Sequence, residues 1–289
     1  MRARLALLSE IPGLWSEAVL RWAKHNERYR YGDMPDRNIE YLFYQTVVGA
    51  WPIDFERMIA YMEKAAREAK AHTSWTQQQE AYEQALRGFV RAAMEEREFS
   101  TDLEGFVAPL VMPGRINGLA QTLIKLTAPG VPDIYQGTEL WDLSLVDPDN
   151  RRPVDFVLRR RLLEEIEEFT PEDILAGMEE GLPKLWVIRQ ALHLRRRRPE
   201  LFGPKGSYDS LSAQGSKADH VVAFMRGEGA ISVVPRLIMR LQGDWADTVL
   251  ELPEGGWHNL LTGDEWTGGA VELKDILSRF PVALLERKE

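Results

Sequence analysis

The spacing of apolar residues along the chain predicts helices first and strands later. From Asp54 onward, apolar residues recur every three or four positions with charged residues between them, which is typical of an amphipathic helix. A second helix is predicted from Thr76, because Thr76 and Gln79 fit a capping box. The apolar residues that follow share one face: Tyr82, Leu86, Phe89 and Ala93. Residues 1–128 are therefore predicted to be a mainly helical region.

The pattern changes where proline and glycine cluster. Pro109, Pro113 and Gly114 predict a break before the apolar stretch Ile116–Leu126. After the turn at Pro129–Pro132, residues 133–136 read as a short strand that Gly137 ends. Further on, Thr170 followed by proline predicts a helix start, and a helix is predicted over residues 184–197.

The last third of the chain has a β pattern. Short β-branched segments at residues 220–225, 231–234, 249–252 and 282–285 alternate with glycines. This spacing predicts a small antiparallel β-sandwich over residues 204–289, with Trp257 and Phe280 in its core. The fold class predicted for the whole chain is mixed α and β, with regions 1–128, 129–203 and 204–289.

Composition excludes several classes of function. The 289 residues carry 36 Lys and Arg against 45 Asp and Glu, a net charge of −9, which argues against nucleic acid or an anionic membrane as a partner. The chain has no cysteine, hence no disulfide or thiolate site, and its five histidines are too scattered to predict a metal site. No apolar run approaches the roughly 18 residues of a membrane span, so a cytoplasmic location is predicted.

The densest group of charged residues lies between Glu139 and Arg152. Carboxylate and guanidinium groups suit the neighbouring hydroxyls of a sugar, because each forms charge-assisted hydrogen bonds. The alternative is a loop whose charges pair with one another. The residue types alone favour the alternative. The members of the group are Glu139, Asp142, Asp147, Asp149, Arg151 and Arg152.

Several segments resemble one enzyme family. Residues 129–140 (PGVPDIYQGTEL) and 147–153 (DPDNRRP) resemble the eighth barrel strand and the following loop of the α-amylase superfamily. Residues 41–46 (YLFYQT), 49–52 (GAWP) and 68–75 (EAKAHTSW) resemble the maltooligosyltrehalose synthase family within it. More weakly, residues 257–265 (WHNLLTGDE) and 280–285 (FPVALL) resemble the C-terminal domain of amylase-type enzymes.

The resemblance implies a piece of a larger enzyme. Such enzymes have a (β/α)8 barrel, which needs about 250 residues, and this chain offers only a segment that resembles its last strand and helix. The family's catalytic acids lie on earlier strands, so no catalytic residue is assigned here. Residues 2–12 (RARLALLSEIP) resemble the segment directly after the third of those acids, so Met1 is expected to be a truncation start and the chain a C-terminal portion.

The function that the resemblance implies belongs to the complete enzyme. Intramolecular glucosyl transfer would convert the reducing-end α-1,4 linkage of a maltooligosaccharide into an α,α-1,1 linkage, without a cofactor. The implied partners are the maltooligosaccharide and the missing N-terminal catalytic part, and the chain alone is expected to be inactive. A hydrolase or other transglucosidase of the superfamily and a non-catalytic carbohydrate-binding or structural module are the alternatives.

The resemblance also implies substrate-binding residues. An Asp and an Arg four residues apart bind glucose units on the non-reducing side of the cleavage point in related enzymes, and Asp147 and Arg151 have that spacing. Tyr135 and Gln136, at the end of the predicted strand, are weaker candidates.

Of two further expectations, the first follows from the implied reaction and the second from the truncation. A helical enclosure that excludes water is expected to include Lys70, His72 and Trp75, with packing roles for His72 and Trp75 as the alternative. The strand around Ile134, deprived of its barrel neighbours, is expected to expose an edge through which a homodimer would form.

Overall fold

The computed structural model describes residues 1–288. Up to residue 202 its regular elements are α-helices and a few short 3-10 turns. Within the described residues, no helix is long and apolar enough to cross a membrane. The helices are α1 Arg2–Leu5, α2 Pro12–Asn26, α3 Arg37–Ala50, α4 Phe55–Ala69, α5 Glu80–Glu95, α6 Arg97–Thr127, α7 Phe156–Glu165, α8 Pro171–Ala176, α9 Leu182–Arg197, α10 Pro199–Phe202, α11 Ile238–Leu241 and α12 Leu273–Ile276.

The strands begin after residue 207 and form one antiparallel sheet in the described part of the chain. Their order across the sheet is β1-β3-β4-β7-β5-β2, with β6 paired to β5. The strands are β1 Tyr208–Leu211, β2 Ala213–Gln214, β3 Val221–Arg226, β4 Ala230–Pro235, β5 Val249–Asn259, β6 Glu265–Glu272 and β7 Ala283–Arg287. The four predicted β segments are thereby confirmed as β3, β4, β5 and β7.

The chain divides into two compact units. The first unit comprises Met1–Gly114 and Leu143–Pro153, and the second comprises Arg115–Asp142 and the chain from Val154 onward. The division between units falls inside helix α6. The three regions predicted from the sequence (1–128, 129–203 and 204–289) stay a prediction.

Local signals set the starts of the helices in the first unit, though not all where the sequence predicted them. Asp54 caps α4, as its Oδ1 accepts the N–H of Arg57 at 2.9 Å. The predicted capping box at Thr76 is wrong. Helix α5 begins only at Glu80, and Oγ1 of Thr73 accepts the N–H of Gln79, the residue directly before the helix, at 3.1 Å.

The predicted break at Pro109 and Pro113 is also wrong. Helix α6 continues through both prolines to Thr127. Each proline lacks an N–H, so the carbonyl four residues earlier loses its helical donor. In the first unit the loss is offset by packing, because Leu103, Val107 and Leu110 are almost completely buried.

Aromatic side chains build much of the core of the first unit. Trp22 is 1% exposed, and the centroid of its ring lies 5.4–5.7 Å from the centroids of three other aromatic rings. Edge-to-face and tilted arrangements of this kind add to the stabilisation from burial. The cluster comprises Trp15, Trp22, Phe43, Tyr44, Phe99 and Phe106.

The sheet of the second unit is buried on both faces. Along β4, Ala230 and Val234 pack in a cluster with α9, whereas Ile231 and Val233 pack in a second cluster formed mainly by the sheet itself. The predicted core residues Phe280 and Trp257 belong to the first and second of these clusters, and at 1% and 0% exposed both are confirmed. The predicted antiparallel pairing is confirmed, because every pair of neighbouring strands in the sheet is antiparallel. The predicted sandwich of two sheets is not confirmed, because the strands join in a single sheet.

The predicted strand at residues 133–136 does not form. Residues 131–135 have no regular secondary structure, and a turn lies directly after them at residues 136–139. A parallel barrel strand depends on hydrogen bonds to neighbours on both sides, and the strands of the described residues pair only with one another. Ile134 is partly buried against the helical cluster of the second unit.

Candidate functional site

The loop that the sequence marks for sugar binding belongs to the first unit and exposes two charged side chains. Residues Asp149–Arg151 form a 3-10 turn. The turn brings Arg151 Nε against Asp147 Oδ1 in an ion pair, with the Arg side chain 69% and the Asp side chain 43% exposed. Such a pair presents acceptors and donors to adjacent sugar hydroxyls.

Asp149, between these two residues, lies in a different environment. Its carboxylate accepts a bidentate pair of hydrogen bonds from Arg57, at 2.8 Å from Nε and 2.9 Å from Nη2, and a third from the Leu145 N–H at 2.7 Å. The Asp149 side chain is only 11% exposed. Burial opposes ionisation, but the bonds from Arg57 and the Leu145 amide outweigh it and hold the pKa of Asp149 below its usual range. Asp149 is thus a structural anion of the loop.

Arg152 is held within the loop. Its Nε lies 3.4 Å from Asp149 Oδ1 and donates to the Asp149 carbonyl at 3.1 Å, and its Nη2 donates to Ser144 Oγ at 3.0 Å. Together with the pair of Asp147 and Arg151, these contacts form the network that the sequence offered as the alternative to sugar binding. Sugar binding by Asp147 and Arg151 stays a prediction.

Tyr135 and Gln136 lie in the second unit, in a turn. The Tyr135 carbonyl accepts hydrogen bonds from the N–H and the hydroxyl of Thr138, at 3.0 and 2.7 Å. Next to this turn, Arg159 donates to Glu139 at 3.0 Å and to the Gly137 carbonyl at 2.7 Å. Tyr135 is 45% exposed and Gln136 is exposed. Their binding role stays a prediction.

The three residues expected in a water-excluding enclosure lie after α4 in the first unit. His72 is 50% exposed and stacks on Tyr82 at 4.9 Å between ring centroids. Trp75 is 53% exposed, with the Arg67 guanidinium 5.0 Å from its ring centroid. Lys70 and His72 help line a cavity of about 510 Å³. At 50% exposed, His72 is not a buried core group, whereas the contact of Trp75 with Arg67 on α4 fits the packing alternative for Trp75. The enclosure role of the three residues stays a prediction.

One group of side chains in the described residues has the composition of a metal site. His25, Glu96 and Glu98 offer ligand atoms within 4.8 Å of one another. A guanidinium already contacts two of the three, however, because Arg28 Nη2 lies 2.8 Å from Glu96 Oε2 and 3.0 Å from His25 Nε2. Tyr29 also donates to Glu96, at 2.6 Å. The group is therefore an ion-pair network.

Sequence reasoning missed the two basic residues that hold the candidate loop. Arg57 and Lys64 lie on α4, more than 80 positions before the loop, and contact it within the first unit. In the sequence they are two of many charged residues on the outer face of an amphipathic helix. No local signal distinguishes them.

Comparisons with known proteins identify the relatives of the chain. No protein-family model matches it. It is 40% identical, over 99% of its length, to a curated protein of Mycobacterium tuberculosis assigned as a maltooligosyl trehalose synthase. The structure of maltooligosyltrehalose synthase from Arthrobacter ramosus matches 99% of the chain at 41% identity with a TM-score of 0.87. A hypothetical maltooligosyl trehalose synthase of Sulfolobus tokodaii matches 99% at 27% identity, with a TM-score of 0.74.

In fold and in sequence, the chain is similar to one part of these maltooligosyltrehalose synthases. The resemblance to the maltooligosyltrehalose synthase family that the sequence predicted is therefore confirmed over 99% of the chain. The chain spans about a third of the length of these proteins, 36% in each case.

Proposed function

We propose that the chain is the C-terminal part of an intramolecular transglucosidase that makes maltooligosyltrehalose from maltooligosaccharides. The observation that carries the proposal is the joint match of sequence and fold, 41% identity with a TM-score of 0.87 over 99% of the chain. The enzyme would convert the reducing-end α-1,4 linkage to α,α-1,1 in the cytoplasm, without a cofactor.

The chemistry of this reaction assigns the chain a binding role. A retaining glycosyl transfer needs a nucleophile and an acid/base carboxyl about 5–5.5 Å apart. The acids of the candidate loop are engaged otherwise, Asp149 with Arg57 and Asp147 with Arg151. The catalytic pair would therefore come from the rest of the enzyme. This chain would bind glucose units on the non-reducing side through Asp147 and Arg151, with Tyr135 and Gln136 as weaker contributors.

The remaining parts of the enzyme are the proposed partner of this chain. Residues 129–203 would then supply the last strand and helix of a (β/α)8 barrel, and residues 204–289 a C-terminal β domain. Residues 133–136 would become a strand once parallel neighbours supply their hydrogen bonds. The homodimer expected at this edge stays a prediction, and the strand on which it depends is absent from the chain alone.

Incubation with maltopentaose tests the proposal. The full-length enzyme is expected to yield a non-reducing product of unchanged mass, because the transfer is intramolecular. Glucose and shorter maltooligosaccharides would favour the hydrolase instead. The chain alone is expected to form no product, and turnover by it would contradict the assignment of the catalytic groups to the missing part. Sugar binding without turnover in the full-length protein would favour the non-catalytic module.

A further inference from the structure

The candidate sugar-binding loop is attached to a helix that is distant in sequence. Arg57 and Lys64 are seven residues apart on α4, so their side chains leave the helix about 20° apart and share one face. Lys64 Nζ donates to the Asp147 carbonyl at 2.5 Å. Arg57 Nη2 donates to the Leu143 carbonyl at 3.1 Å, and the same guanidinium holds the Asp149 carboxylate at two points. Helix α4 thus contacts the loop at three positions: Leu143, Asp147 and Asp149.

The side chains that join α4 to the loop are partly buried, whereas the side chains proposed to bind sugar are more exposed. The Arg57 and Asp149 side chains are 17% and 11% exposed, and that of Lys64 is 19% exposed. Asp147 and Arg151 each lie two residues from Asp149 and point into more open surroundings, at 43% and 69% exposed. A bidentate Arg–carboxylate pair fixes both distance and orientation. Fixing Asp149 therefore restricts where its two neighbours can place their charges.

We propose that Arg57, assisted by Lys64, is a positioning residue of the sugar-binding loop. It binds no sugar itself, and acts by holding Asp149 and the loop backbone so that Asp147 and Arg151 meet the substrate in a preorganised geometry. Preorganisation lowers the ordering cost of binding. The loss of Arg57 is therefore expected to weaken the binding of long substrates and leave the chemical step intact. This inference rests on the proposed function.

The decisive variant is Arg57→Met in the full-length enzyme. We expect the KM for maltohexaose to rise about tenfold, which corresponds to the loss of one charge-assisted hydrogen bond between the misplaced loop and the sugar. The kcat is expected to stay within about twofold of wild type. Hydrogen exchange of a peptide covering residues 143–152 is expected to accelerate, because the Leu145 N–H loses the oriented carboxylate of Asp149. Arg57→Lys, which keeps the charge but not the fork, is expected to lie between wild type and Arg57→Met in both measurements.

Arg67→Met is a matched control on the same helix. Arg67 holds Glu83 by a bidentate pair at 2.9 and 2.6 Å, with side chains 18% and 12% exposed, but makes no contact with the loop. Because the Arg67 guanidinium also lies against Trp75, a residue expected in the water-excluding enclosure, this control is measured by hydrogen exchange. The loss of Arg67 is expected to lower Tm as much as the loss of Arg57, with the exchange of residues 143–152 unchanged. If both variants accelerate that exchange equally, the effect is general loosening and the proposal is wrong.

The two readouts separate this proposal from the proposed function. A wild-type enzyme that makes no maltooligosyltrehalose refutes the function, while the exchange of residues 143–152 still reports on Arg57. Unchanged loop exchange in Arg57→Met refutes the positioning role whatever the activity. Should Arg57→Met fail to fold, Lys64→Met removes the contact with the Asp147 carbonyl, together with an ion pair to the exposed Glu68 that does not touch the loop. It is expected to raise KM about threefold, less than Arg57→Met because a single bond is lost, and an unchanged KM would then contradict the proposal.

Discussion

Replacing Asp147 and Arg151 by alanine in the full-length enzyme tests whether the exposed ion pair binds sugar. A charged group hydrogen-bonded to a hydroxyl contributes about 1.5–3 kcal/mol. The KM for maltohexaose is therefore expected to rise about ten- to a hundredfold in each single variant, with a smaller effect on kcat. If the two side chains contact different hydroxyls, the free-energy losses add in the double variant.

Because the pair is exposed, its loss is expected to change the stability of the fold too little to explain a large change in KM. With the side chains 43% and 69% exposed, the ion pair itself contributes at most about 1 kcal/mol to folding. The Tm of either variant is then expected to fall by no more than about 4 °C. A large change in KM at nearly constant Tm could not arise from unfolding.

Initial rates of maltooligosyltrehalose formation, measured over a range of maltohexaose concentrations, provide the KM and kcat values. Arg161→Ala is the matched control, since Arg161 and Glu165 form a pair with the same spacing and similar exposure, 65% and 45%. Its kinetics are expected to be those of wild type. Unchanged KM values in both loop variants, together with a lowered Tm, would refute sugar binding and leave the loop as a purely structural ion-pair network.

Three further predictions concern stability. Arg226 is 2% exposed and donates to the carbonyls of Thr127 and Ser207 at 3.0 and 2.9 Å. Because Arg226→Met leaves both carbonyls without this donor, it is expected to lower the free energy of unfolding, measured in urea, by about 3–5 kcal/mol. A loss under about 1 kcal/mol would contradict this. Burial and the neighbouring Lys125 lower the pKa of Lys184 to about 8. Between pH 8 and about 10.5 the unfolded chain therefore binds more protons than the folded chain. The free energy of unfolding of wild type, minus that of Lys184→Met, should rise with pH in that window, and a flat or falling difference would disprove this. Because the pKa of Asp149 is lowered in the folded chain, its carboxylate stabilises the fold above the unfolded pKa of about 3.9. The free energy of unfolding of wild type should exceed that of Asp149→Asn there, and this difference should disappear as the pH falls through the lower folded pKa.

The residues also show which features the sequence could predict. Thr170 and Asp173 form the reciprocal hydrogen bonds of a capping box at the start of α8, where the sequence predicted a helix. Asp54 caps α4, and the apolar positions of α5 are buried as its periodicity predicts. The capping hydrogen bonds join residues within four positions of one another, so the sequence alone carries them. The periodicity of α5 marks the face that tertiary packing then buries.

Where distant parts of the chain compete with local preference, the sequence predicted wrongly. Pro109 and Pro113 are strong local helix breakers, yet α6 continues through both because buried packing compensates. Residues 133–136 have a strand-like composition but form no strand, since a strand is stable only beside a hydrogen-bonded partner.

By itself, the sequence determined the helical first part, the four strands β3, β4, β5 and β7, and the family that the chain resembles. It also placed acidic and basic residues together in one loop. Only the tertiary structure decided which of them are structural: Asp149 pairs with Arg57 from 92 positions away, and Asp147 and Arg151 stay open. The physical reason is that short-range preferences arise from neighbouring residues, whereas burial and long-range ion pairs exist only after the chain has folded.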